Sequence, residues 1–312
     1  IMKKVTVLRI ISILAFVVLT FSSFTNISDE DMLLMGVSEE QLQNMKEDVI
    51  LGQTGLIDFP VCHSQLDVPL GLQYLDERQS RKLLVEYWGN PESHITKLLG
   101  VLVPSDALYF YQISIAYVIT YDNSGYVKDD DANNIDYSEL LQQMKDGAEE
   151  ENKTLPENQR CTIKGWAVQP KYKQSQHVLI WAKLLEFGGG ETVNYDMRIL
   201  GKEGVVSINA VIDPEYTEEV EYKGDEMVQS LKFYEGYAYS DFDPSRDRVS
   251  DWTIGGLVAG GVLAKTGVLA KIGAFLLKFS KLIIVGIIGL GAAVVKWFRG
   301  RREDDDDLKE SV

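Results

Sequence analysis

Apolar and polar positions alternate most regularly between Gly165 and Ala210. The chain there runs G-W-A-V-Q-P-K-Y, then H-V-L-I-W-A-K-L-L-E-F, then N-Y-D-M-R-I-L-G-K-E-G-V-V-S-I-N-A. β-Branched and aromatic runs bounded by glycine predict strands joined by tight turns, here three consecutive antiparallel ones. His177 to Phe187, Val193 to Leu200 and Val205 to Ile212 are the clearest. The link Gly201-Lys202-Glu203-Gly204 predicts a hairpin turn with glycine supplying positive φ. A second alternation, Leu108 to Asp122, puts Tyr109, Tyr111, Ile113, Ile115, Tyr117, Ile119 and Tyr121 on one face and predicts one long core strand. Leu56 to Val61 reads as a short strand, and Phe233 to Phe242 as the strand that closes the sheet.

Helical spacing and caps fill the intervals. Ser38 and Gln41 form a capping box for a short helix from Glu39. Asp76 and Gln79 do the same for a helix running to Trp88, with Leu83, Leu84, Tyr87 and Trp88 on its apolar face and Gly89 and Pro91 as its stop. Asp136 and Glu139 start a helix through Ala148. Pro214 opens another, with Tyr216, Val220, Met227 and Leu231 on one face and Gly224 weakening its middle. Together these elements predict an α+β fold, a mainly antiparallel sheet of five or more strands with helices packed against it.

The two ends differ from this middle. Lys3, Lys4 and Arg9 precede an apolar run from Ile10 to Phe21 and the small residues Ser22, Ser23 and Thr25, the layout of a signal peptide over residues 1–25. Residues 26–54 read as a helical linker region and 55–252 as an extracytoplasmic domain. Residues 253–298 read as a membrane anchor, with transmembrane or interfacial helices, and 299–312 as a charged cytoplasmic tail. Leu282 to Val295 is uninterrupted and flanked by Lys281 and Lys296-Trp297-Phe298, which suits a span, while Gly255 to Leu277 carries Lys265 and Lys271. Either the second half crosses once and the first lies at the interface, or both cross as a hairpin. Arg299, Arg301 and Arg302 favour a cytoplasmic C-terminus, hence a single pass through the cytoplasmic membrane with the domain outside.

Charge and motifs narrow the chemistry. Forty-seven acidic against 31 basic residues give a net charge of −16, which argues against nucleic acid as a partner. No G-x-S-x-G, Walker, H-E-x-x-H or C-x-x-C motif occurs, and His63, His94 and His177 lie in unrelated segments. The acidic run Asp129 to Asp136 fails the calcium-loop template, with Asn134 where glycine is needed and Leu140 where glutamate is needed. No metal or cofactor is expected. Cys62 and Cys161 leave two readings open, one disulfide in an exported domain or two separate buried thiols. Asn194, Asp196 and Arg198 share one face of a central strand. They form either a cross-strand polar network on a solvated face or part of a ligand pocket, with Trp166 and Trp181 as core residues or stacking platforms. Asp241 and Asp243 serve turns or, in an enzymatic reading, join Asp196 as carboxylate catalysts.

The motifs G-W-A-x-x-P-x-Y (Gly165 to Tyr172), W-A-K (Trp181 to Lys183) and N-Y-D-x-R-x-L-G (Asn194 to Gly201), with Gly236-Tyr237-Ala238-Tyr239-Ser240-Asp241-Phe242 and the Gly/Lys-rich C-terminus, resemble a bacterial family of membrane-anchored proteins of unknown function. The resemblance runs from about Leu56 to Phe298 and implies export and anchoring, with no catalytic residues to carry over. The element order is also loosely similar to the PsbP/Mog1-like sandwich, a fold-level analogy that implies no activity. The expectation is a non-enzymatic envelope module that binds a protein partner or a small ligand. A carboxylate hydrolase and a membrane-inserting or membrane-sensing protein are the alternatives.

Overall fold

The computed structural model describes residues 28–259, apart from 35, 89, 91, 93, 94, 96, 114, 154, 156–159, 188 and 189. The signal-peptide segment, the Gly89/Pro91 stop and most of the anchor segment lie outside the described residues. Among the described residues, no helix is long and apolar enough to cross a membrane.

Two units emerge. The first joins residues up to Ile50 with Asp106–Ser114. It holds α1 (Asp29–Leu34) and α2 (Glu39–Met45). The capping box forms as predicted: Gln41 N donates to Ser38 Oγ at 3.2 Å and Ser38 N to Gln41 Oε1 at 2.8 Å. Lys46 and the Tyr111 hydroxyl both donate to Asp29, and these hydrogen bonds, Lys46's first, hold its carboxyl below the usual range. The long strand expected over Leu108 to Asp122 is not continuous. Gln112 Oε1 accepts from Leu108 N at 2.8 Å and Tyr109 N at 3.1 Å, and Phe110–Gln112 makes a 3-10 turn. A side-chain amide that takes backbone donors locally competes with the ladder, so extended pairing begins only at Ala116.

The second unit carries the sheets. β1 (Leu56–Phe59) and β2 (Ser64–Asp67) form a hairpin around the 3-10 turn Pro60–Cys62, and β3 (Leu72–Leu75) follows. α3 (Glu77–Arg81) continues as a π-helical turn, Lys82–Tyr87. Asp76 caps it, accepting from Gln79 N at 2.9 Å. The Gln79 side chain does not close the box; it bonds the backbone N–H and C=O of Leu51 at 2.8 and 2.9 Å instead. Then come β4 (Leu98–Pro104), β5 (Ala116–Asp122), β6 (Tyr126–Lys128), α4 (Tyr137–Asn152), β7 (Cys161–Lys173), β8 (Val178–Phe187), β9 (Gly190–Leu200) and β10 (Val205–Ile212). α5 (Thr217–Ser230), β11 (Leu231–Phe233), β12 (Val249–Thr253) and α6 (Ile254–Ala259) complete it.

The main sheet has seven strands in the order β3-β4-β5-β10-β9-β8-β7, every neighbouring pair antiparallel. The fold is therefore α+β with an antiparallel sheet. All eight residues of β10 are buried, because this central strand is covered on both faces. α4 and α6 lie on one face, in one apolar cluster with Leu179, Trp181 and Val205. On the opposite face α5 packs against β9, and an added Cβ at Gly224 would stand 3.3 Å from the Tyr195 hydroxyl. Gly224 thus serves a close helix–sheet approach rather than merely weakening the helix. β7 is an edge strand with three register shifts and Pro170, features that blunt an exposed edge. Phe233 to Phe242 does not close this sheet. β11 joins β1 and β2 in a separate three-stranded sheet, β12 pairs in parallel with β6, and Tyr239–Asp241 is a 3-10 turn.

The β9–β10 hairpin forms, but not for the reason expected: neither Gly201 nor Gly204 has positive φ. Proximity constrains both, to backbone at Gly204 and to a side-chain ring at Gly201. A Cβ on Gly204 would sit 2.1 Å from the Asp122 carbonyl oxygen, and one on Gly201 would sit 2.6 Å from the Phe233 ring.

Candidate functional site

Strand alternation and register build the candidate site as a grid across β8, β9 and β10. Trp181 pairs with Asp196 and Asp196 with Asn209; Lys183 pairs with Asn194 and Asn194 with Val211; Leu179 pairs with Arg198 and Arg198 with Ser207. Paired residues project from the same face, some 4.5–5.5 Å apart. The grid thus gathers Trp181, Lys183, Asn194, Asp196, Arg198, Ser207 and Asn209 on the face that carries α4 and α6.

The cross-strand polar network of the plainer sequence reading forms, but its face is not solvated, which corrects that part of the reading. Asn194 and Asp196 are each 2% exposed, and Ser207 and Asn209 each 5%. Asp196 lies at the centre. Arg198 Nη2 donates to its Oδ1 at 3.3 Å, and Lys183 Nζ stands 4.0 Å from its Oδ2. Arg198 Nη1 also donates to Ser207 Oγ at 2.7 Å, and the guanidinium carbon lies 5.4 Å from the centre of the Trp181 ring. Stacking of this kind is worth about 2 kcal/mol when the cation is desolvated.

The network is incomplete. Trp181 Nε1, Asn194 Oδ1, Arg198 Nε and both side-chain polar atoms of Asn209 are buried and have no hydrogen-bond partner among the described residues. Buried groups in folded proteins are nearly always satisfied, and each orphan costs about 1–3 kcal/mol. Asn209→Leu should therefore stabilise the fold by about 1–2 kcal/mol in urea unfolding, since it removes two orphaned atoms at similar volume. A loss of stability would mean that Asn209 is already satisfied.

Other candidate residues fall elsewhere or play other parts. Trp166 flanks the grid beside Lys183, half-buried, with Nε1 donating to Tyr137 O at 3.2 Å. Asp241 accepts from Ala238 N at 2.9 Å, and Asp243 from Ser245 N and Oγ at 2.9 and 2.7 Å. The Ser245 bonds hold the exposed Asp243 carboxyl below the ordinary range. Both belong to turn chemistry and are not part of the grid. Lys183, Ser207 and Asn209 were not singled out by sequence reasoning. Their signal was present: Ser207 and Asn209 interrupt the apolar run V-V-S-I-N-A-V-I at period two.

Three carboxylates of the acidic run before α4 accept from protein donors. Asp136 caps α4 through Ser138 N and Glu139 N, and Asp129 accepts from the Tyr172 hydroxyl at 3.0 Å. Asp131 caps α6, its two oxygens accepting from Ile254 N and Gly255 N at 3.1 and 3.0 Å. Ile254–Ala259, drawn as the start of the anchor segment, are buried in the domain's own core. No group of three or more metal-ligating side chains occurs among the described residues.

Cys62 and Cys161, one of whose two readings was a disulfide, are both free and buried. Cys62 Sγ lies 3.1 Å from Ser64 Oγ in the β1–β2 hairpin, whereas Cys161 begins β7 beside Leu185 and Phe187. Burial pushes the Cys62 thiol up and the Cys161 thiol to about 12. Only the thiolate is reactive, so a colourimetric disulfide reagent at pH 8 should find neither thiol in the native domain and both after denaturation without reductant. Finding none after denaturation would restore the disulfide.

The family model described as "Protein of unknown function (DUF2167)" matches residues 52–291. No curated protein matches the chain. Among solved structures, the solution structure of cyanobacterial PsbP (CyanoP) from Synechocystis sp. PCC 6803 is similar with a TM-score of 0.37 and 6% identity, covering 59% of this chain and 95% of that one. A likeness at that score carries no argument about chemistry.

Proposed function

We propose, from the premise that the chain belongs to the DUF2167 family, that it is a membrane-tethered envelope protein whose domain binds a small polar ligand at the β8–β9–β10 grid without transforming it. The observation that supports this is the gathering of Trp181 Nε1, Asn194 Oδ1, Arg198 Nε and both Asn209 polar atoms, all unpartnered among the described residues, on one buried face. Groups that destabilise the empty protein are worth retaining where another molecule completes them.

Support for the tether comes from the residues at the two ends. The basic n-region and the apolar run Ile10 to Phe21 suit export, and Leu282 to Phe298 suits one span with the arginines after it in the cytoplasm. A protein partner in the envelope completes the reading. The hydrolase alternative finds less support, because Asp196 is ion-paired inside the grid while Asp241 and Asp243 serve turns.

Native mass spectrometry of the full chain, extracted from membranes in mild detergent, tests the binding reading. Wild type should carry a small non-covalent adduct that Asn209→Leu lacks. The bare chain mass in both, with only water at the grid at high resolution, would overturn it. Labelling single-cysteine variants from either side of the membrane tests the tether, with position 310 expected to react only from inside.

A further inference from the structure

We infer that α6 is the gate of the grid: a ligand reaches the face of Trp181, Asp196 and Asn209 when this short helix leaves it. This rests on the ligand-binding reading above and names how access to that site is controlled.

The first ground is enclosure. Trp181 is 1% exposed, Asp196 2%, and Ser207 and Asn209 each 5%. No ligand meets them unless a covering element moves. Register shows which helices lie over this face. Leu179 pairs with Arg198 and Leu200 with Val205, and Val205 stands two residues before Ser207 on the same side of β10. Leu179, Leu200 and Val205 share one apolar cluster with Trp181, with α4 and with α6.

The second ground is how differently the two helices are held. α4 is 16 residues long, is capped by Asp136 and is tied to β7 at both ends. Trp166 Nε1 donates to Tyr137 O at 3.2 Å, and the Asn152 side chain exchanges two hydrogen bonds with the Cys161 backbone, at 2.7 and 3.0 Å. α6 has six residues, among them Gly255 and Gly256. Glycine is a poor helix former, and so short a helix does not persist without tertiary support. Its start is held by side chains. Ile254 N and Gly255 N donate to the two oxygens of Asp131 at 3.1 and 3.0 Å, and Gly256 N donates to Thr253 Oγ1 at 3.1 Å. β12, which leads into it, pairs with β6 through a register that shifts between Val249 and Thr253.

Elements that move for function are drawn from the least stable parts of a fold. Of the two covers, α6 is that part, and Asp131 is its latch.

Iodoacetamide labelling of the full-length protein in mild detergent tests the gate, with Ser207→Cys as the reporter and mass mapping of the labelled peptides. The native Cys161, covered by Leu185 and Phe187 beside the C-terminal end of α4, is the internal control. Adding Asp131→Ala should speed labelling at position 207 roughly tenfold, the ratio expected of a lost helix cap, and leave Cys161 unchanged. Asp131→Asn keeps one oxygen acceptor and should fall between. Asp136→Ala, which uncaps α4, should accelerate position 207 less than Asp131→Ala does. If Ser207→Cys does not fold, Val205→Cys takes its place as the reporter. Equal acceleration at position 207 and Cys161 would overturn the gate, because the whole domain would then be loosened. No acceleration, or a larger one from Asp136→Ala, would overturn it as well. Native mass spectrometry separates this outcome from that of the binding reading. An adduct in wild type, with labelling unmoved by Asp131→Ala, keeps the ligand and removes the gate. Selective acceleration without any adduct keeps the gate and removes the ligand.

Discussion

Asp196→Ala should destabilise the domain by about 3–5 kcal/mol. Its side chain is 3% exposed and lies at the centre of the grid, facing Lys183 and Arg198. Removing it leaves two cations of low exposure without a counter-charge, and it is this unbalanced state that is costly. Asp196→Asn should cost less, because the amide oxygen still accepts from Arg198. Asp196→Ala combined with Arg198→Met should recover part of the loss, since one orphaned cation goes with the carboxylate. Urea unfolding followed by far-UV circular dichroism measures all three. A cost below about 1 kcal/mol for Asp196→Ala would mean that water reaches this face freely and would remove the physical basis of the candidate site.

Gly204→Ala should cost about 3 kcal/mol although it adds one methyl group to a turn. The added Cβ would lie 2.1 Å from the Asp122 carbonyl oxygen, and backbone cannot swing aside as a long side chain can. Either β5 and β10 separate at Val205 and Asp122, or the β9–β10 hairpin shifts. A shift by one residue would turn Ser207 and Asn209 away from Asp196, since side chains alternate between faces. The variant should therefore lose stability and weaken any response that depends on the grid. Gly36→Ala is a useful contrast. Its positive φ of 89° strains an alanine, but no atom lies within 4 Å of the added Cβ, so the expected cost is about 1 kcal/mol. If Gly204→Ala proved as mild as Gly36→Ala, proximity would not be what requires glycine in this hairpin.

Much of the scaffold was legible in the residues. β8, β9 and β10 follow their apolar runs closely, and the caps at Ser38, Asp76 and Asp136 all form. β2, β3 and β4 were not anticipated. β2 and β3 are short, and β4, L-L-G-V-L-V-P, is nearly all apolar and so lacks the alternation that marks a half-exposed strand. Tyr109 to Ile115 shows alternation without a continuous ladder, because the Gln112 side chain takes backbone donors that pairing would use. Of the candidate site, Asn194, Asp196 and Arg198 could be placed on one strand face from period two alone, whereas the place of Trp181 opposite Asp196 depends on register between strands. Asp241 and Asp243 were grouped with them only by being acidic and near a turn.

The properties legible in the residues are local: the long strands and helices, their caps, and the side chains that share a strand face. These depend on backbone preferences and on spacing along the chain. Burial and partnership are set by tertiary packing. Asn194, Asp196 and Arg198 look the same in sequence whether their face meets water or is covered. Covering by α4 and by the Asp131-capped α6 places the row in a low-dielectric interior. There an unpaired hydrogen-bonding group or an excess charge has consequences that it would not have at the surface. The strand order brings Asn209 of β10 and Lys183 of β8 to either side of β9, a neighbourhood set by register between strands.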